Sequence, residues 1–344
     1  MALKSTRKTS TLSESNLTPI QEIATAIQAL RTHVAVFDVS HRTQIEITGT
    51  DRTRFLHGLV SNDIKRLKAG EGCETFITDL KGKVVAHVFV FCGEKSLWLD
   101  GSPGQDEAIL RHLGKYLLID DVQLHPRTAE RSELLVTGAI ASQLLQLDDA
   151  LPLVGHVSRE TDGHPFDIRR VDLLDAPGYL ISVPKSRRDT VLLGLRTVGV
   201  VEGSAAAFEA LRIAAGSPAF GIDITNDNLA QEVARTKQCV SFDKGCYLGQ
   251  ETIARIDALG HTNRELRRMR FDTSDVPASG TVVFDASGET EVGVITSAAI
   301  NPDHVAANST PSVVALGILK RSALPSDTPV QLDPRIAQCQ GCVI

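Results

Sequence analysis

The chain has 344 residues of which 42% are apolar, enough for about two or three domains with ample core. Aromatic content of 4% leaves the packing to aliphatic side chains, and a net charge of -6 gives no whole-protein attraction for nucleic acid. No stretch approaches the ~20 apolar residues of a membrane span, and six cysteines are too sparse for a disulfide framework, which points to a reducing, cytoplasmic setting.

Residues 1–17 are rich in Ser, Thr, Lys and Arg without an apolar segment and read as a disordered tail; their lack of acids before Glu14 also fits a mitochondrial-type presequence. Ile20, Ile23, Ala24, Ile27 and Leu30 recur at helical spacing. Alternation predicts a strand over 43–47, and Gly49-Thr50-Asp51 offers a cap for a helix carrying Phe55, Leu56, Leu59 and Val60. Strands follow over 75–78, 84–92 and 96–100, the first two joined by the turn Asp79-Leu80-Lys81-Gly82, and then a helix over 109–117. Between 133 and 198 the pattern is strand, helix, strand, strand, helix, which is not the regular alternation of a doubly wound sheet and makes the fold α+β. A helix over 205–215 stops at Gly216-Ser217-Pro218, and the little-patterned stretch 221–237 is long enough for a functional loop. From 262 to 335 short strands separated by Gly, Pro, Ser and Asp predict a small closed β domain, with a flexible tail over 336–344. Cys339 and Cys342 have metal-hand spacing, but one such pair does not make a four-ligand site.

The chemistry concentrates at Lys244-Gly245-Cys246-Tyr247-Leu248-Gly249-Gln250-Glu251, between a strand-like 239–242 and a helical pattern over 252–259. Unpaired amides and the positive end of a helix dipole, with an ammonium beside them, would favour a negative, reactive sulfur on Cys246. Phosphate-loop, His-Glu-x-x-His, nucleophile-elbow and dinucleotide signatures are absent from the sequence.

This motif, with Ala254-Arg255 after it, resembles the signature of the YgfZ-type folate-binding proteins, relatives of the glycine cleavage T-protein. Asp51-Arg52-x-x-Phe55-Leu56-x-Gly58, Ser61-Asn62-Asp63, Asp79-Leu80-Lys81-Gly82-Lys83, Asp120-Asp121-Val122 and Gly216-x-Pro218-x-x-Gly221-x-Asp223 are similar to the same family. The resemblance implies two interleaved α/β lobes over 18–260, the first discontinuous, around a central channel, plus a C-terminal β-barrel. It also implies a tetrahydrofolate-binding factor for iron–sulfur protein maturation or repair, with iron–sulfur client or assembly proteins as partners. Cys246 would be the acting thiol, while Lys244, Tyr247, Gln250, Glu251, Arg255 and Asp223 would bind folate. Lys244 could instead be a solvated lysine, Tyr247 a core residue, and Glu251 with Arg255 a surface pair; Asn62 and Asp63 suit a helix cap at Ile64.

Two other functions stand beside this one, a folate-dependent aminomethyltransferase like the T-protein and a non-catalytic scaffold. In the T-protein pattern adjacent acids follow a Gly-Gly turn; here Lys81 to His87 carries no carboxylate, and only His87 is near the place. Ala214 also stands where the family stretch has a glutamate for the pterin edge, so tetrahydrofolate binding is expected to be weak unless Asp223 or Glu232 substitutes.

Overall fold

The computed structural model describes residues 18–147, 151–161, 163–307, 311–333 and 339–344. The expected tail at 1–17 lies outside them.

The opening helix, Pro19–Thr32, is capped by Thr18, whose side chain accepts from Gln21 N at 3.4 Å, and it buries Ile23, Ala26, Ile27 and Ala29 as its period requires. The chain then enters one lobe with strand Ala35–Asp38 and leaves it at once. Residues from Thr43 to Pro126 build a second lobe around a sheet with the strand order Gly72–Thr78, Val84–Cys92, Leu97–Gly101, Thr43–Thr48, Gln123–Pro126. From Arg131 the chain returns to the first lobe. Its six-stranded sheet runs Val201–Glu202, Ala35–Asp38, Arg131–Thr137, Gly178–Pro184, His164–Val171, His156–Thr161, and only the first pair is parallel. One lobe is therefore interrupted by the other, an α+β arrangement. Strands 35–38, 123–126 and 156–161 and the helix Pro302–Ala307 were not legible from periodicity: the first two span four residues each, and the other two carry too few apolar residues to show a repeat.

A buried charge cluster lies between the two sheets. Arg42 donates from Nε to Asp100 Oδ1 at 2.7 Å, and Arg169, fully buried, lies 3.1 Å from Glu133 and 3.7 Å from Asp100. The Arg169 guanidinium stacks 4.9 Å from the Trp98 ring centre. Burial, then the neighbouring Asp100, pushes the Glu133 carboxyl well up, while Arg169 opposes the rise.

The third unit is a closed six-stranded barrel. Its sixth strand is Gln340–Val343, which pairs with both Pro329–Leu332 and Arg264–Phe271, so the residues expected as a flexible tail from 339 onward complete the barrel instead. Without that strand both neighbours would expose unpaired edges. Cys339 is buried in the barrel core and Cys342 half-buried. Of the other expectations at this end, residues 336–338 lie outside the described residues.

Candidate functional site

The motif expected to carry the chemistry is an anchored loop. Residues 239–242 are not a strand: the short helix Thr236–Cys239 ends there, and Ser61 Oγ donates to Cys239 O at 2.6 Å while Ser241 N donates to Ser61 O at 3.0 Å. Lys244 is buried. Its ammonium donates to the carbonyls of His57, Val60 and Asn62 at 2.7, 2.6 and 2.8 Å and lies 4.7 Å over the Tyr247 ring. All three of its donors are thus committed to backbone carbonyls of the 57–62 segment. Burial lowers Lys244 to about 8, against the opposing carboxylate of Asp63, which leaves it charged at neutral pH.

Tyr247 packs in the core, as the alternative reading of it had it, and burial raises its hydroxyl to about 12. Gly249 sits at φ +84°, and a Cβ there would meet Asp79 O at 2.5 Å and Gly82 Cα at 3.0 Å. The glycine therefore lets the motif lie against the 79–82 turn. Thr78 Oγ1 donates to Leu248 O at 2.6 Å, a second clamp.

What this anchoring holds out is Cys246, the exposed member of the six cysteines. The helix begins at Gln250, beyond the cysteine, and Lys244 points away. What distinguishes Cys246 is accessibility. Gln250 is half-buried, and Glu251 and Arg255 are exposed on helix Gln250–Leu259.

Asp223 is held by the protein itself. Buried, it accepts from Arg212 Nη1 at 2.7 Å, Ala219 N at 2.9 Å, Thr296 Oγ1 at 2.7 Å and Ser297 Oγ at 2.6 Å, pinning helix Ala205–Ala214 to the barrel. Glu232 is likewise committed, to Arg264 Nε at 3.0 Å and Leu229 N at 3.1 Å. Asn62 caps no helix, since no helix begins at Ile64; its amide donates to Glu74 O at 2.8 Å and Gln238 O at 2.9 Å. Ala214 lines a pocket of about 450 Å³ beside Arg268 and Arg270. That pocket shares no lining residue with the chamber between the lobes.

The chamber has two connected parts. The inner cavity, about 60 Å³, is lined by Glu74, His87, Phe89, Arg235 and Asp172 among others, and it shares Arg42, Ser102, Leu173, Ser217 and Pro218 with an outer cavity of about 410 Å³. The outer walls include Phe208, Phe220, His41 and Arg212, an apolar surface with a few charged groups, and its size suits a small organic ligand.

At the inner end the sequence reading missed a polar cluster. Strands Gly72–Thr78 and Val84–Cys92 pair Phe76 with His87 and Glu74 with Phe89, so Glu74 and His87 lie diagonally on one face. His87 Nε2 is 2.6 Å from Glu74 Oε1 and 3.8 Å from Cys239 Sγ. Arg235 donates from Nη2 to Glu74 Oε2 at 2.5 Å and from Nε to Oε1. Burial would raise the Glu74 carboxyl, but the bonds from Arg235 and His87 outweigh it and hold Glu74 down at about 2. Burial, then the Glu74 charge, pushes the Cys239 thiol well up, so its sulfur stays protonated. The recoverable signal was Glu74-x-Phe76 and His87-x-Phe89 flanking one tight turn, which period two places on one face; nothing local marks Cys239 as their neighbour.

Comparisons with known proteins agree with this architecture. The model of the GCVT N-terminal domain matches residues 17–244. A chloroplastic candidate transferase of Arabidopsis thaliana is 28% identical over 79% of this chain, which spans 63% of that protein's length. The aminomethyltransferase of Prosthecochloris aestuarii is 25% identical over 92% of this chain and 87% of its own length. The mitochondrial aminomethyltransferase of Gallus gallus is 32% identical over 56% and 52%. The structure of the glycine cleavage system aminomethyltransferase T from Bartonella henselae superposes with a TM-score of 0.82 at 22% identity, over 93% of this chain and 88% of its own, and has the same fold.

Proposed function

This chain belongs to the GCVT N-terminal domain family, and we propose that within it the chain is a YgfZ-type protein, a tetrahydrofolate-binding factor for the maturation or repair of iron–sulfur proteins that acts through Cys246. The observation that carries the reading is the display of one thiol. Cys246 is exposed on a loop whose flanking residues are anchored, Lys244 by three buried carbonyls and Tyr247 in the core, whereas the other cysteines are buried or half-buried. An accessible thiol on a fixed loop suits transient contact with a client protein or its cluster. The six free cysteines favour the cytoplasm or another reducing compartment. Among the described residues no helix is long and apolar enough to cross a membrane.

Tetrahydrofolate is assigned to the chamber between the lobes. Leu173, Phe208 and Phe220 would pack its rings, and His41 would face its carboxylates. When bound it supplies a nitrogen that accepts one-carbon units. A second reading, aminomethyl transfer, is favoured by the names of the relatives and by Glu74, a charged carboxylate in the inner cavity although the stretch Lys81 to His87 carries none. Against it, both Glu74 oxygens are held by Arg235.

Complementation decides between the readings. A strain lacking the protein and supplied with Cys246→Ser should fail to restore the activity of iron–sulfur enzymes while the variant remains folded; full rescue by the serine form would refute the thiol role. Calorimetric titration should show tetrahydrofolate binding that Leu173→Trp abolishes by filling the chamber. Aminomethyl transfer from a lipoyl carrier protein in a glycine-cleavage assay would put the second reading first.

A further inference from the structure

We propose that Glu74, His87 and Cys239 form a binding site for a divalent transition metal of the zinc class, with its open coordination position facing the inner cavity between the lobes. The site is separate from Cys246 and independent of the folate reading.

The three ligand atoms, Glu74 Oε1, His87 Nε2 and Cys239 Sγ, all lie within 4.8 Å of one another. In a tetrahedral zinc centre with bonds of 2.0–2.3 Å, nitrogen and sulfur lie about 3.6 Å apart and nitrogen and oxygen about 3.4 Å. Nε2 to Sγ is 3.8 Å, already close to that edge, and Nε2 to Oε1 is 2.6 Å, so Oε1 need recede by less than an ångström. A nitrogen, a thiolate and a carboxylate make a ligand set that suits zinc and excludes magnesium or calcium as natural occupants.

The same cluster does not fit a nucleophilic triad. Such a relay needs the acid on one ring nitrogen and the thiol on the other, whereas Glu74 and Cys239 both face Nε2 of His87. Convergence of an acid and a thiol on one nitrogen gathers three donor atoms that a metal cation can bridge.

The surroundings resemble the outer shell of a metal centre, which fixes its ligands from behind. Glu74 Oε1 exchanges its bond from Arg235 Nε for the metal, while Oε2 stays with Arg235 Nη2 at 2.5 Å. Asn62 Nδ2 holds Glu74 O at 2.8 Å, and Ser61 Oγ holds Cys239 O at 2.6 Å, so the backbones carrying two of the ligands are tied to one short segment. His87 packs between Phe76 and Phe89, with ring centres 5.3 and 6.2 Å away. The cavity of about 60 Å³ in front of the cluster has room for a water or a donor atom of a ligand as the fourth partner. Binding is an exchange without redox change: the Cys239 proton leaves to solvent, the proton that His87 Nε2 donates to Glu74 Oε1 is given up as well, leaving the neutral ring protonated on Nδ1, and the metal takes their places on sulfur and nitrogen.

Cobalt(II) is the probe. Protein stripped with a chelator and titrated with Co²⁺ should bind one equivalent, with a sulfur-to-cobalt charge-transfer band in the near ultraviolet and visible bands typical of four-coordination. Cys239→Ser should remove the charge-transfer band, His87→Gln should weaken Zn²⁺ binding in competition by at least about 100-fold, and Cys246→Ser should change neither. Circular dichroism reports whether each variant is folded, and His87→Gln decides the matter if Cys239→Ser does not fold. A Co²⁺ spectrum lacking the thiolate band, a band that survives Cys239→Ser, or Zn²⁺ affinity unaltered in His87→Gln would overturn the proposal.

Discussion

Replacement of Lys244 by Met tests the anchoring argument most directly. Met keeps most of the apolar stem over Tyr247 and removes the ammonium, leaving the carbonyls of His57, Val60 and Asn62 without their shared donor. A hydrogen bond from a charged group contributes about 1.5–3 kcal/mol. Three of them are not additive, because freed carbonyls recover part of the loss by rearranging or admitting water, and breaking a buried charged cluster costs about 3–5 kcal/mol. A loss of that size is expected in urea unfolding followed by circular dichroism. Lys244→Arg should lose nearly as much despite keeping the charge, since the three acceptors converge on a single nitrogen and a planar fork cannot match them. A Met variant within about 1 kcal/mol of the parent, or an Arg variant as stable as the parent, would refute the reasoning.

Glu74→Gln should cost about 3 kcal/mol at neutral pH, because the carboxyl is held at about 2 in the fold against an ordinary 4.5. A depressed carboxyl stabilises above its ordinary value and ceases to do so as it protonates in the fold, so the gap between parent and variant should close as pH falls from 4.5 toward 2, measured as urea midpoints against pH. Gly249→Ala forces a side chain into positive φ and against Asp79 O, and should cost at least about 2 kcal/mol in the same assay. Removal of residues 339–344 withdraws the strand that closes the barrel together with buried Val343 and Cys339, and should lower unfolding stability by more than about 4 kcal/mol. Cys246 should alkylate fastest of the six cysteines in the native protein, followed per residue by mass spectrometry, while Cys246→Ser stays within about 0.5 kcal/mol of the parent.

Much of this molecule follows from local pattern. Helical spacing located Pro19–Thr32 and Ala205–Ala214, alternation located four of the five strands of the second lobe and five strands of the barrel, and the Lys244 to Glu251 motif led to the family. These features are legible because each depends on residues within a few positions of one another, where period and turn chemistry act. Local pattern failed for Gln340–Val343, where a short strand gains its order only from two neighbours that it completes. It also could not tell how the motif's own side chains are held. Nothing in the string distinguishes a lysine that reaches a ligand from one whose ammonium is enclosed by the carbonyls of His57, Val60 and Asn62, because those acceptors come from a segment nearly two hundred positions away. Asp223 was likewise spent on Arg212, Thr296 and Ser297 from a helix and a barrel strand. Residues 74, 87 and 239 became one cluster only because a hairpin register sets Glu74 diagonal to His87 and Ser61 draws the end of helix Thr236–Cys239 onto the same strand. The sequence alone determined where the chemistry-bearing residues lie along the chain; tertiary contact decided which of them are anchors, which is exposed and which converge, because hydrogen-bond partners and burial are set by neighbours distant in sequence.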